Sequence, residues 1–332
     1  MMRTMIDAAR LARIDAALAA GDVSRVVDDA CAMIDEDPAS RDAQRAYLRV
    51  LLAWARGQPG LADRTFPLPS ATRGRRRVSA IVCSIDAAKY AAVVANLNLR
   101  FAGHEFEVVG IHDARSLAEA YNRGAAKARG DILVFAHDDI ELRTSDFAAR
   151  LFAHLERYDG VGVAGASKIT GPRWDHAGQR HIHGHVLHLP PEGKTGVLLM
   201  AAGFQRPVCE DIRVLDGVFV AVHRRVWEAH KFDAKTYDGF HGYDLDFTRR
   251  ASDAGARFAV PLDLLLLHRS TGRYGGDWRR YAQRFADQLG LDASVPPAPG
   301  ELQVRLDAPA QIDTLRAALV HFRFGAARTT SG

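Results

Sequence analysis

Cysteine is scarce here, and its spacing pairs with nothing. The chain has 332 residues but only three cysteines, Cys31, Cys83 and Cys209, far apart and without a C-x-x-C. That excludes a zinc ribbon or a disulfide framework and fits a reducing compartment. Long apolar runs are missing too. The longest, around residues 264–267, is strand-sized, far short of the roughly 20 residues that span a bilayer. The opening MMRTMIDAARLAR lacks the unbroken apolar core of a signal peptide. The expected setting is the cytoplasm, with room for peripheral contact at a membrane. Charge of one sign is lacking as well: a net +4 is too mild to point to nucleic acid as a partner. No G-x-G-x-x-G follows the first candidate strand, which disfavours a dinucleotide-binding fold.

What is present is ordinary globular composition, 48% hydrophobic and 25% charged, in a length that suits one large α/β domain plus a smaller region. The chain is organised around residues 116–141, SLAEAYNRGAAKARGDILVFAHDDIE. Ser116 and Glu119 form an S-x-x-E capping box, which supplies partners for the free N–H groups of a helix start. Leu117, Ala120, Tyr121 and Ala125 recur at helical spacing, and Gly130 reads as the terminator. Residues 132–136 are unbroken apolar, as in a strand covered on both faces. His137, Asp138 and Asp139 follow at its carboxyl end, where open α/β sheets bind ligands.

Residues 1–70 read as a small all-α region. Leu11, Ile14 and Leu18, then Val23, Val26, Val27, Ala30 and Ile34, follow the helical period, with breaks at Gly21 and Asp37-Pro38. Residues 21–38 resemble half of a tetratricopeptide repeat. Such repeats need several neighbours to stack, so a bundle packed on the next domain is the plainer reading, and a docking module for a protein partner the functional one. Residues 71–77 are a basic linker carrying Arg73, Arg75, Arg76 and Arg77; charge runs are usually solvated. From 78 onward, candidate strands at 78–84, 106–111, 132–136, 160–166, 214–222 and 258–268 alternate with helices. That order argues for an α/β domain over residues 78–290, a mostly parallel sheet flanked by helices. Residues 167–213 read as irregular. Within them His181, His183 and His185 alternate, so on a strand they would share a face; an exposed strand or loop is the plain reading, a metal site the other. Residues 291–332 read as a linker and a closing helix at 309–324.

Four short motifs, in this order, resemble the family-2-type nucleotide-sugar glycosyltransferases of the GT-A (Rossmann-like) fold, in the branch that carries H-x-D where most members carry D-x-D. They are Asn122-Arg123-Gly124 on the helix before the acidic strand; Phe135-Ala136-His137-Asp138-Asp139; Gly242-Tyr243-Asp244-Leu245-Asp246 with Arg250 after it; and His268. The chain departs from the pattern twice. His137 stands where the first carboxylate usually is, and Tyr243 where a glutamate usually precedes the base.

The resemblance implies a nucleoside-diphosphate sugar donor and a glycan, lipid-linked or protein acceptor. It also implies a divalent cation, Mn²⁺ or Mg²⁺, to neutralise the leaving diphosphate. Asp139, His137 and His268 are then the metal residues, and the mixed set leans towards manganese. Asp244 is the implied general base of an inverting transfer; its plain role is a helix N-cap. Asp246 is read as the helical ion-pair partner of Arg250. Donor contacts are expected from Ser84, Asp86 and Asp113 at the first two strand ends, and from Asn122, Asp138 and Asp216. Asp216 reads as a mid-strand acid, equally suited to pairing with an arginine. A catalytically silent nucleotide- or carbohydrate-binding module with a docking front end is the alternative. A nucleotidyltransferase would carry a Gly-rich basic loop where this chain has CSIDAAKY.

Overall fold

The computed structural model describes residues 8–37, 40–57, 76–178, 181–189, 197–202, 208–270, 275–293 and 302–306. Strand β1 (Arg77–Cys83) pairs in parallel with β2 (Glu105–Ile111) on one side and β3 (Ile132–Ala136) on the other. Helices α4 (Ala87–Arg100) and α5 (Leu117–Lys127) make the crossovers, after α1 (Ala8–Ala20), α2 (Val27–Glu36) and α3 (Arg41–Arg56). Next come β4 (Ile140–Leu142), α6 (Phe147–Leu155), β5 (Gly160–Gly162), β6 (Ala164–Ala166), β7 (Ile182–His188), β8 (Val197–Ala202), β9 (Val208–Ile212) and β10 (Val214–Leu215). The chain continues through β11 (Phe219–His223), α7 (Arg224–His230), α8 (Tyr243–Asp253), β12 (Phe258–Pro261), β13 (Leu266–His268), α9 (Gly276–Leu289) and β14 (Leu302–Leu306).

These strands build two sheets. The first has the order β2-β1-β3-β11-β5-β12-β9, and the second β10-β6-β7-β13-β4, with β8 added to β7 and β14 to β8. In the first sheet β11 and β9 run against the rest, so the expected mostly parallel α/β sheet is present with two reversed strands.

Three runs that read as single strands are each broken between the sheets. Residues 160–166 divide at Val163 into β5 and β6, 214–222 at Asp216-Gly217 into β10 and β11, and 258–268 into β12 and β13. An apolar run records burial but not a corner. The segment 167–213 is not irregular: β7, β8 and β9 lie within it. Gly130 does not terminate α5, which closes at Ala128. Its missing side chain lets the backbone approach β1, where a Cβ would stand 2.5 Å from the Ser79 nitrogen. The basic residues Arg73 and Arg75 and the helix expected at 309–324 lie outside the described residues.

Period-two alternation sorts the first sheet's side chains. Val78, Ala80 and Val82 of β1 and Ile132, Val134 and Ala136 of β3 pack with α4 and α6. Ile81, Leu133 and Phe135 face α5, α7, α8 and α9. On the second sheet, Leu187, Leu199, Leu265 and Leu267 share a core with Ile14, Ile34, Tyr47 and Leu51 of the N-terminal helices. Those helices are therefore the outer layer of the second sheet. Among the described residues no helix is long and apolar enough to cross a membrane.

Candidate active site

β3 belongs to the first sheet and β4 to the second, so His137, Asp138 and Asp139 occupy the step between them. The pairing of β13 with β4 sets His268 opposite Ile140, and the Arg269 N–H donates to the Asp139 carbonyl at 3.0 Å. This register carries His268 across 129 residues of sequence to Asp139, with Nε2 3.2 Å from Oδ1. His137, Asp139 and His268 each offer one ligand atom, and the three atoms lie within 4.8 Å of one another. Burial pushes the Asp139 carboxyl up, but the hydrogen bond from His268 and the charges of His268 and His137 outweigh it and hold the group well below the ordinary carboxylate range. Burial, and then His268, lower His137.

At the start of α8, Gly242 is the cap with φ +78°, so Asp244 is a first-turn residue and not the N-cap. Its carboxylate accepts the Gly217 N–H at 2.7 Å. A Cβ on Gly217 would lie 2.4 Å from the Tyr243 hydroxyl and 2.9 Å from Asp244 Oδ2, so only glycine allows this approach. Burial first, and the charge of Asp216 second, raise Asp244 to about 7. Asp216 is not mid-strand. It forms the turn between β10 and β11, where Trp174 Nε1 donates to it at 2.6 Å and the Val218 N–H at 2.8 Å; of its two readings, the arginine pairing is not made, an indole taking that place. Asp246 pairs with Arg250 at 2.8 Å and Arg249 at 3.1 Å.

Both groups open onto one cleft of about 880 Å³, whose lining includes Ser84, His137, Asp138, Asp139, Asp216, Asp244 and His268. Ser84 Oγ donates to Asp138 at 2.7 Å. Three expected donor residues do not line this cleft. Asp86 caps α4 through the Ala88 and Lys89 N–H groups. Asp113 is exposed and paired with Arg123 at 2.7 Å. Asn122 is consumed by the Phe232 backbone and the Trp227 indole, at 2.7 to 3.0 Å.

The histidine run is not the exposed strand or loop expected, since β7 is largely buried inside the second sheet, and its alternation has the wrong parity for this site. His181, His183 and His185 do not line the cleft, whereas Val186 and His188 do, because neighbouring residues of β7 point to opposite faces. The even-numbered end of the run was the signal. Ile85 and Phe240, 89% and 53% exposed, stand on the same cleft with Trp174 and Trp278. Exposure of large apolar groups beside polar ones marks a binding groove, but only packing could reveal it.

A family profile described as "Glycosyltransferase like family" matches residues 79–267. The chain belongs to this family. The glycosyltransferase match spans β1 to β13, from the strand that positions Ser84 to the one that ends on His268. No curated protein sequence matches the chain. Among solved structures, one similar fold is the mannosyltransferase PcManGT from Pyrobaculum calidifontis in complex with GDP-Man and Mn²⁺, at 15% identity and TM-score 0.42, covering 82% of this chain and 77% of that one. Another is GalNAc-T7 with UDP, GalNAc and Mn²⁺, at 11% identity and TM-score 0.41, covering 65% of this chain and 48% of that one.

Proposed function

We propose that this glycosyltransferase moves a sugar from a nucleoside-diphosphate donor to an acceptor hydroxyl with inversion, using a divalent cation and Asp244 as general base. The observation that carries the reading is that Asp139 and Asp244, 105 residues apart, open onto one cleft. Asp139, with His137 and His268, would hold Mn²⁺ or Mg²⁺. Two imidazole nitrogens and one carboxylate oxygen suit manganese better than magnesium, which prefers oxygen ligands alone. The bound cation would supply charge neutralisation for the departing diphosphate.

The protein's own groups supply the rest. Asp244, raised to about 7, is basic enough to accept a hydroxyl proton and still ionised for about half the population near neutrality. The Gly217 N–H fixes one carboxylate oxygen, and the N–H groups at the start of α8 also orient the carboxylate. Ser84 and Asp138 lie on the side of the first strand ends, suited to the donor's polar groups. Aromatic Trp174, Phe240 and Trp278 offer apolar faces to a sugar ring.

The silent-module alternative rested on His137 and Tyr243; three convergent ligand atoms weigh against it. A thermal-shift panel of UDP-, GDP- and dTDP-sugars with and without Mn²⁺ tests the reading, since a ligand bound only by the folded state raises the melting point. The correct donor should shift the midpoint in a metal-dependent way, and slow donor hydrolysis should stop with EDTA. Asp139→Ala should lose calorimetric Mn²⁺ binding; unchanged binding would refute the metal assignment.

A further inference from the structure

One strand of the second sheet links the two ends of the cleft. Near the start of β7, Gly184 pairs with Ala164 of β6. The Ala164 carbonyl accepts the Asp216 N–H at 2.9 Å, beside the Gly217 that holds the base. At the end of β7, His188 pairs with His268 of β13. Ala164, Val186 and His188 line the cleft along this edge. An in-line displacement sets the reacting sugar carbon between the acceptor oxygen, at the base, and the diphosphate oxygen, at the cation. The sugar ring would therefore lie along two apolar side chains and one imidazole.

That imidazole is held in one form. His188 is half-buried, its ring centroid lies 5.5 Å from that of His268, and its Nδ1 is 3.1 Å from the Ser270 carbonyl. A carbonyl oxygen only accepts, so Nδ1 carries the proton. In a neutral imidazole the other nitrogen is then an acceptor. Nε2, the outer nitrogen of the ring, keeps the lone pair. His188 is not among the groups whose ligand atoms converge on the cation position, which leaves Nε2 to the substrate. A lone pair suits a hydroxyl, which has a proton to give, and not an ionised phosphate, which has none.

We infer that His188 selects the transferred sugar, its Nε2 accepting a hydrogen bond from one of the sugar's hydroxyl groups. This role rests on the cation-and-base reading of the cleft, whereas the tautomer belongs to the protein without ligands.

Two substitutions separate the ring's nitrogens. His188→Asn keeps a donor near the place of Nδ1 and loses the outer acceptor; His188→Gln does the reverse. Calorimetry with Mn²⁺ compares UDP, GDP and dTDP with UDP-glucose, UDP-N-acetylglucosamine, GDP-mannose and dTDP-glucose. His188→Asn should lose about tenfold in affinity for the sugar nucleotide that the wild type binds and bind the bare nucleotide as before. His188→Gln should keep most of the wild-type affinity. The opposite ranking would reduce His188 to a brace for Ser270, and equal losses for nucleotide and sugar nucleotide would assign it to the cation; either overturns the proposal. Unchanged sugar-nucleotide affinity in a folded His188→Asn protein overturns it too. If the variants fold poorly, nitrogen-15 NMR of the metal-free wild type at pH 8, where imidazole is neutral, decides: Nδ1 must be protonated and Nε2 bare, and the reverse overturns the proposal. A wild type that binds bare nucleotides but no sugar nucleotide removes this contact alone. A wild type that binds neither removes the cation-and-base reading and His188's role with it.

Discussion

Asp244 is a carboxylate that folding makes hard to ionise, and this has consequences in both activity and stability. With its pKa raised to about 7, transfer should fall as pH drops below 7 and the base takes up a proton, with Asp216 as the facing charge that helps set the midpoint. The stability effect has the opposite sense. A group whose pKa rises on folding stabilises the fold where it is protonated, and that contribution is lost as pH rises through the folded value. Asp244→Asn should therefore abolish transfer, spare donor binding, and raise the melting point at pH 8 more than at pH 5. A fully active Asn variant would remove Asp244 from the mechanism. Gly217→Ala should also cut turnover, by about tenfold or more, because the new methyl would occupy the space that lets the backbone reach Asp244; kcat should move more than KM. Asp139, Asp244 and His268 could be picked out in sequence because each stands at a motif position. Gly217 and Trp174 could not, since neither a turn glycine nor an indole announces which carboxylate it will meet.

Helix and strand ends place these groups, and the clearest case is the turn between β12 and β13. Asp263 there is 8% exposed and accepts from His154 at 2.8 Å and Arg150 at 3.2 Å, both on α6. The buried ion group ties the turn to a helix and so sets the start of the short strand that ends on His268. Removing one partner of such a group leaves a buried charge uncompensated. Asp263→Ala should cost about 3 kcal/mol, read as a shift of the urea midpoint at unchanged slope, and should weaken Mn²⁺ binding at a distance from the site. At the other end of the core motif, the Ser116 hydroxyl accepts the Glu119 N–H at 3.1 Å, and Ser116→Ala should cost about 1 kcal/mol. The cap of α5 and the buried strand β3 were legible because local chemistry specifies them. The division of 160–166, 214–222 and 258–268 between two sheets was not, because the pairing partners that bend each run lie far away in sequence.

The molecule as a whole joins two sheets by runs that cross between them, and α1 to α3 cover the second sheet. Leu187, Leu199, Leu265 and Leu267 turn from the second sheet into the helical core, while His188 and His268, one residue on, face the cleft. An independent docking module would melt separately. Shared burial predicts one cooperative calorimetric transition for the helices and the sheet, and a protein lacking residues 8–57 should expose this leucine face and aggregate; two resolved transitions would count against it. The sequence by itself determined the secondary-structure periods, the helical front end, the α/β order and the short acidic and histidine motifs, since these depend on neighbours a few residues apart. Only the tertiary structure decided that Asp139 meets His268, that Gly217 and Asp216 stand beside Asp244, that Tyr243 reaches His137, and that Asp86, Asp113 and Asn122 are occupied elsewhere. The Asp139–His268, His137–Tyr243 and Asn122–Trp227 contacts follow from strand register and packing, which bring together residues more than a hundred positions apart and leave no local trace in the chain.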